Sequence, residues 1–125
     1  MLDRLFVYGT LRKDIGNSRF HVLAREAREV TFVGHGRIQG RLFDLGAYPG
    51  LVLSDDSGTR VRGEVYALSN PRETLSRLDD YEGSEFERVE RSVVLDSGAS
   101  DKAWVYAYAG PTAGKREIPS GDYSG

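Results

Sequence analysis

The sequence predicts a small α+β domain in which about six strands form a strongly bent mixed sheet or barrel, accompanied by two short helices. Three observations carry this prediction. Apolar and β-branched residues recur with a period of two over most of the chain, as they do in pleated strands. The period lengthens to that of a helix only after Ser18 and after Asn70. Glycines fall inside the strand patterns, where they allow bends and bulges. A chain of 125 residues suits one domain with one core, here residues 1–125.

The first strand is Leu5-Phe6-Val7-Tyr8, stopped by Gly9-Thr10. Glycine there permits a positive φ and the close approach of another group. The stop reads either as an ordinary strand exit or as a turn with several N–H groups that no ladder pairs. Arg12 to Gly16 is a polar turn, and Asn17 and Ser18 offer N-cap oxygens to a helix from about Arg19 to Glu29. Phe20, Leu23, Ala24 and Ala27 give that helix one apolar face, expected to cover the first strand. Val30 to Val33 and Gly36 to Phe43 read as strands, Tyr48-Pro49-Gly50 as a turn and Leu51 to Leu53 as a short strand. Asp55 to Gly58 has hairpin-turn chemistry, and Arg60 to Leu68 alternates with Val61, Val65 and Ala67 on one face.

The second helix opens at Asn70, with Pro71 in its first position and Glu73 completing a pattern like a capping box. Leu75 and Leu78 form its apolar stripe and Gly83 is its stop. Strands from about Glu87 to Leu95 and Lys102 to Ala109 follow, joined by Asp96 to Asp101. The tail from about Pro111 onward reads as irregular, with Ile118-Pro119 able to tack it down.

Composition narrows the chemistry. The chain is 39% hydrophobic and 29% charged, the balance of a soluble globular protein. A net charge of −2 argues against a general nucleic-acid or membrane-surface binder. Without cysteine there is no disulfide, thiol nucleophile or thiolate metal site. The N-terminus lacks the basic-then-apolar run of a signal peptide and no apolar stretch reaches transmembrane length, so the expected location is the cytoplasm. His21 and His35 are isolated, so no metal site is expected. Gly34-His35-Gly36 with Gly40 misses the dinucleotide fingerprint by one residue and opens no helix. No serine sits in a Gly-x-Ser-x-Gly context, and Thr10 lacks a sequence-adjacent base, which leaves it a hydrogen-bonding role. Trp104, Tyr106 and Tyr108 share one strand face, read as barrel packing in preference to a base-stacking platform.

One carboxylate breaks its own pattern. Glu82 lies four residues after Leu78 and seven after Leu75, within the apolar stripe, whereas Asp80 points away and Asp79 and Tyr81 flank it. A buried unpaired carboxylate is costly unless it becomes neutral. Glu82 therefore pairs with Arg88 or Arg91, is released by fraying of the last turn, or serves as a general base tuned towards neutral pH. A base needs a partner to hold developing negative charge, and N–H groups at Gly9 to Leu11 would supply it.

With both features in place, the sequence resembles the γ-glutamylcyclotransferase-like superfamily, in its AIG2-like branch. The matching residues are Phe6-Val7-Tyr8-Gly9-Thr10-Leu11, Tyr48-Pro49-Gly50, Gly63-Glu64-Val65-Tyr66 and Leu78-Asp79-Asp80-Tyr81-Glu82-Gly83, with Trp104-Val105-Tyr106 and Ser120-Gly121-Asp122. The resemblance implies a compact barrel-like α+β fold, no cofactor and cyclotransferase activity on a small γ-glutamyl substrate, with 5-oxoproline as product. It implies that Tyr8, Gly9, Thr10 and Leu11 bind the γ-glutamyl group through backbone amides, and that Glu82 is the acid/base residue. The family often has a tyrosine two residues before an arginine beyond this glutamate; here Phe86 precedes Arg88, and that hydroxyl is missing. Selectivity for the leaving amine is expected in loops around Asp44 to Gly50 and Glu85 to Arg88. The competing classes are a non-catalytic module that binds a small carboxylate or amino acid, and an amidase-like step removing a γ-glutamyl protecting group.

Overall fold

A computed structural model describes residues 2–13, 19–24, 29–54 and 58–123. Among them, eight strands and two helices follow in the order β1 (Arg4–Val7), α1 (Phe20–Leu23), β2 (Val30–Gln39), β3 (Arg41–Asp44), β4 (Pro49–Val52), β5 (Arg60–Leu68), α2 (Pro71–Glu82), β6 (Phe86–Leu95), β7 (Ser100–Tyr108) and β8 (Arg116–Ile118). Strands β1, β5, β2, β6 and β7 are neighbours in that order, and β7 returns to β1 in parallel at Leu5 and Trp104, closing a five-stranded barrel. The far end of β7 pairs in parallel with β4 at Leu51 and Ala107, and β4, β3 and β8 continue outward as an antiparallel flap.

The strands' period-two pattern serves two cores. Phe6 of β1 and Tyr8 just beyond it enter the barrel beside Val61, Val65, Val93, Val105 and Leu51. The alternate residues Leu5 and Val7 pack outward with Leu23 of α1 and Leu75 and Leu78 of α2. Tyr106 also packs on this outer, helix-covered side, so the aromatic run of β7 is not barrel interior as the sequence suggested. Covering both faces of β1 lets Leu5, Phe6 and Val7 all be buried in a four-residue strand.

Several sequence expectations shift for local reasons. The strands expected at Val30 and Gly36 are one strand, interrupted only by a register shift between Phe32 and Gly34. The strand expected to run through Gly40 instead breaks there: a Cβ on Gly40 would lie 2.9 Å from the Val52 carbonyl oxygen, and the chain leaves the barrel for the flap. The turn placed at Tyr48-Pro49-Gly50 lies earlier. Gly46 adopts a φ of 111° and its N–H donates to Asp44 Oδ1 at 2.8 Å, while Pro49 and Gly50 already belong to β4. The tail, expected to be irregular, adds the three-residue strand β8 against β3, with Ile118 opposite Leu42. With it the strand count rises from about six to eight.

Of the first helix, one turn lies among the described residues, with Leu23 buried; Asn17, Ser18 and Ala27 lie outside them. Arg77 of α2 donates to the Val22 and Leu23 carbonyls, the latter at 3.2 Å, and to Glu29 at 3.1 Å, tying the two helices together. At the start of α2, Asn70 makes no side-chain cap to the backbone; its amide donates to Glu73 Oε2 at 2.8 Å instead. Among the described residues, no helix is long and apolar enough to cross a membrane.

Gly63 shows how closely β1 and β5 meet. A Cβ there would lie 2.3 Å from the Val7 carbonyl oxygen and 2.7 Å from Phe6 Cζ. Gly63→Ala is expected to destabilise the domain by about 1–3 kcal/mol, read from urea unfolding.

Candidate active site

Beyond β1 the chain closes a turn, with the Arg12 N–H donating to the Gly9 carbonyl at 3.0 Å. Gly9 does not have the positive φ that its type suggested. Space requires it: a Cβ would lie 2.9 Å from Cγ and 3.0 Å from Cδ of Pro49. Among the described residues, the N–H groups of Gly9, Thr10 and Leu11 meet no acceptor. The residues that follow are clamped. The guanidinium of Arg12, itself buried, donates to Asp122 Oδ1 at 2.8 Å and to the Tyr123 carbonyl at 3.3 Å. The Lys13 N–H donates to the buried carboxylate of Glu64 at 2.7 Å, which also accepts the Tyr66 hydroxyl at 3.2 Å. The turn is thus pre-ordered from both the barrel and the tail.

Glu82 is the last residue of α2. The helix does not fray before it, because the Gly83 N–H closes onto the Asp79 carbonyl at 3.3 Å and Gly83 exits at a φ of 82°. Nor, among the described residues, does an arginine neutralise it. Arg88 donates from Nε and Nη2 to Asp79 at 2.8 and 3.1 Å, and Arg91 donates to the Glu90 carbonyl at 2.7 Å. Burial, with no pairing cation among the described residues, pushes the Glu82 carboxyl up to about 7.

Asp79, one turn earlier, is the contrast. Burial acts to raise its carboxyl, but hydrogen bonds from Arg88 and from the Tyr106 hydroxyl at 2.7 Å outweigh this and hold it below the usual range. Two carboxylates three residues apart are therefore driven in opposite directions, the arrangement that separates acid/base work from structural pairing. The Asp79–Arg88–Tyr106 network, with Arg88 4.5 Å over the Trp104 ring, anchors the end of α2 to β6 and β7. Sequence reasoning missed it. Its only signal was Arg88, read as a partner for Glu82.

A cavity of about 330 Å³ brings these parts together. Tyr8, Gly9, Thr10 and Leu11 line it with Glu82, and Tyr48, Phe86 and Tyr106 complete its walls. Among the described residues lining it, Glu82 is the one carboxylate and Arg19 the one cation. Tyr8 lines the cavity, but its hydroxyl is engaged elsewhere, donating to the Tyr106 carbonyl and accepting the Leu51 N–H at 3.1 Å. Burial raises that phenol well above its ordinary value. Tyr48 and Phe86 come from the two stretches expected to carry selectivity, Phe86 as the first residue of β6, and the fold brings both to this cavity. Arg19 had no signal in the sequence; it arrives because its N–H donates to the Thr10 carbonyl. Among the described residues, no three His, Asp or Glu side chains are grouped as a metal ion would need.

The family model described as gamma-glutamyl cyclotransferase, AIG2-like, matches residues 5–125. The gamma-glutamylcyclotransferase family protein YtfP of Escherichia coli K12 is 35% identical over 120 residues, covering 96% of this chain and 95% of that protein. A gamma-L-glutamyl-butirosin B gamma-glutamyl cyclotransferase of Niallia circulans is 35% identical over 117 residues, covering 86% of this chain and 67% of that one. The crystal structure of an AIG2-like protein from Mus musculus superposes with a TM-score of 0.70 at 27% identity, covering 86% of this chain and 78% of its own.

Proposed function

The chain belongs to the AIG2-like γ-glutamylcyclotransferase family, and on that premise we propose that it cyclises the γ-glutamyl group of a γ-glutamyl amine or peptide to 5-oxoproline, releasing the amine. One observation carries the reading: a carboxylate raised to about 7 shares a small cavity with a turn that has three N–H groups, and among the described residues neither a cation pairs the carboxylate nor an acceptor meets those N–H groups. The Niallia circulans relative, named for a γ-L-glutamyl substrate, supports the same substrate class.

In the proposed reaction, Glu82 takes a proton from the substrate's α-ammonium group, and the freed amine forms a bond to the γ-carbonyl carbon of the same residue. The carbonyl oxygen becomes an oxyanion, held by the N–H groups of the Gly9 to Leu11 turn. As the bond from that carbon to the leaving nitrogen breaks, Glu82 returns the proton to that nitrogen. The ring nitrogen, which still carries two hydrogens, gives up its surplus proton through the same carboxylate to the freed amine, which departs as an ammonium. Two protons thus pass from the attacking nitrogen to the leaving one, and Glu82 ends as the carboxylate it began as. Attack is intramolecular, which lets orientation in the cavity supply a large part of the rate. The clamps at Arg12 and Lys13 keep the turn in place before substrate arrives. No step calls for a cofactor.

The direct test is incubation with γ-glutamyl amines, γ-glutamyl peptides and γ-glutamyl-ε-lysine, followed by chromatographic detection of 5-oxoproline. Product from at least one is expected. Thermal stabilisation by these amides without product would instead make the chain a binding module. The pH dependence is a second expected result. The working form of Glu82 is the carboxylate, so kcat/KM should climb with pH through about 7 and flatten above it. A rate that flattens already above pH 5 would assign the proton transfer to an ordinary exposed carboxylate.

A further inference from the structure

Resting on the cyclisation reading, we infer that the leaving amine carries a flat aromatic group, which seats on a ring-lined wall made by Tyr48, Tyr81 and Phe86. Exposure and position together point to this wall. Tyr48 is 42% and Tyr81 44% exposed, yet both line the cavity that holds Glu82. Large apolar rings left open to solvent beside a site are surface that a ligand covers.

The wall continues inward as ring against ring. The Phe86 ring lies 5.9 Å from Tyr48 and 5.6 Å from Tyr108, tilted by 54° and 59°. These are favourable aromatic spacings, which a further ring can extend. The Tyr108 hydroxyl donates to the Pro111 carbonyl at 2.9 Å, so its polar end is already tied. Phe86 brings no hydroxyl. Of the two charged lining residues, Glu82 faces the proton chemistry, and Arg19 is anchored beside the turn by its backbone N–H on the Thr10 carbonyl, apart from the three-ring wall. At this wall a carboxylate on the leaving amine would meet ring faces and the neutral hydroxyls of Tyr48 and Tyr81, with no cation among Tyr48, Tyr81 and Phe86 to offset its desolvation. A second ammonium would be drawn to ring faces as well, and the test separates that outcome.

The experiment compares three substrates on the full chain: γ-glutamyl-phenethylamide, γ-glutamyl-butylamide and γ-glutamyl-putrescine. 5-Oxoproline release gives kcat/KM, and calorimetry on Glu82→Gln gives binding without turnover. The phenethylamide is expected to exceed the butylamide by about tenfold in both readouts. That ratio should fall towards one in Tyr48→Ala, and fall in the same direction in Tyr81→Ala, which approaches from the helix side. Equal values for phenethyl and butyl, a preference for putrescine, or ratios unmoved by both variants would overturn the aromatic subsite. If no amide yields 5-oxoproline, the cyclisation reading fails by itself. The calorimetric ranking still decides the subsite, and undetectable phenethylamide binding overturns it.

Discussion

Glu82→Gln is expected to abolish turnover while making the protein more stable above neutral pH. Loss of a general base costs about 10²–10⁴-fold in rate. The stability gain follows from the same burial that raises the carboxyl from an ordinary 4.5 to about 7. Between those values the folded state keeps a proton that the unfolded chain has released, so stability falls as pH rises through the window. Well above 7 the cost is complete and amounts to about 3 kcal/mol. Glutamine has the same shape and cannot ionise, so it escapes this cost. Melts at pH 5 should nearly coincide, and at pH 8 the variant should melt about 5–10 °C higher. A glutamine variant less stable than the parent at both pH values would show that the carboxylate has a structural partner, which the general-base role does not allow.

That prediction could be framed from sequence because Glu82 violates a pattern that is local. Leu75, Leu78 and Glu82 lie on one short helix, and helical geometry alone places them together. The two-sided burial of β1 was legible for the same reason, since Leu5, Phe6, Val7 and Tyr8 leave no polar residue for a solvent face. What stayed hidden depends on contacts distant in sequence. Asp79 is held by Arg88 and Tyr106 from two other strands, and Arg12 by Asp122 from the tail. The three residues of β8 carry little pattern of their own and become a strand because β3 offers an edge. Asn70 and Glu73 were the right residues for a helix start, but their side chains bond to each other rather than to the backbone.

Gly9 was legible as important for two reasons, positive φ and close approach; the structure keeps the second and drops the first, and that choice supplies the second large expected effect. A residue needed for positive φ would tolerate little beyond asparagine; a residue needed for space fails with the first methyl group. Alanine at position 9 would set its Cβ 2.9 Å from the Pro49 ring, and Pro49 is held in β4 opposite Asp44. The turn is the part that yields, and displacement of its N–H groups by even a fraction of an ångström weakens their hold on the oxyanion. Gly9→Ala is expected to fold and to lose about 10²-fold in kcat, with KM little changed, because the lost interaction belongs to the transition state. A rise in KM with kcat intact would instead assign the turn to the substrate's ground-state carboxylate. Pro49→Ala removes the Cγ and Cδ atoms that the new methyl group meets, so the double variant should recover much of the rate lost by Gly9→Ala alone. Such recovery requires that the two positions act through one contact. If Gly9→Ala folds and keeps wild-type kcat and KM, the turn does not hold the substrate, and the anion-stabilising half of the site must be sought elsewhere in the cavity.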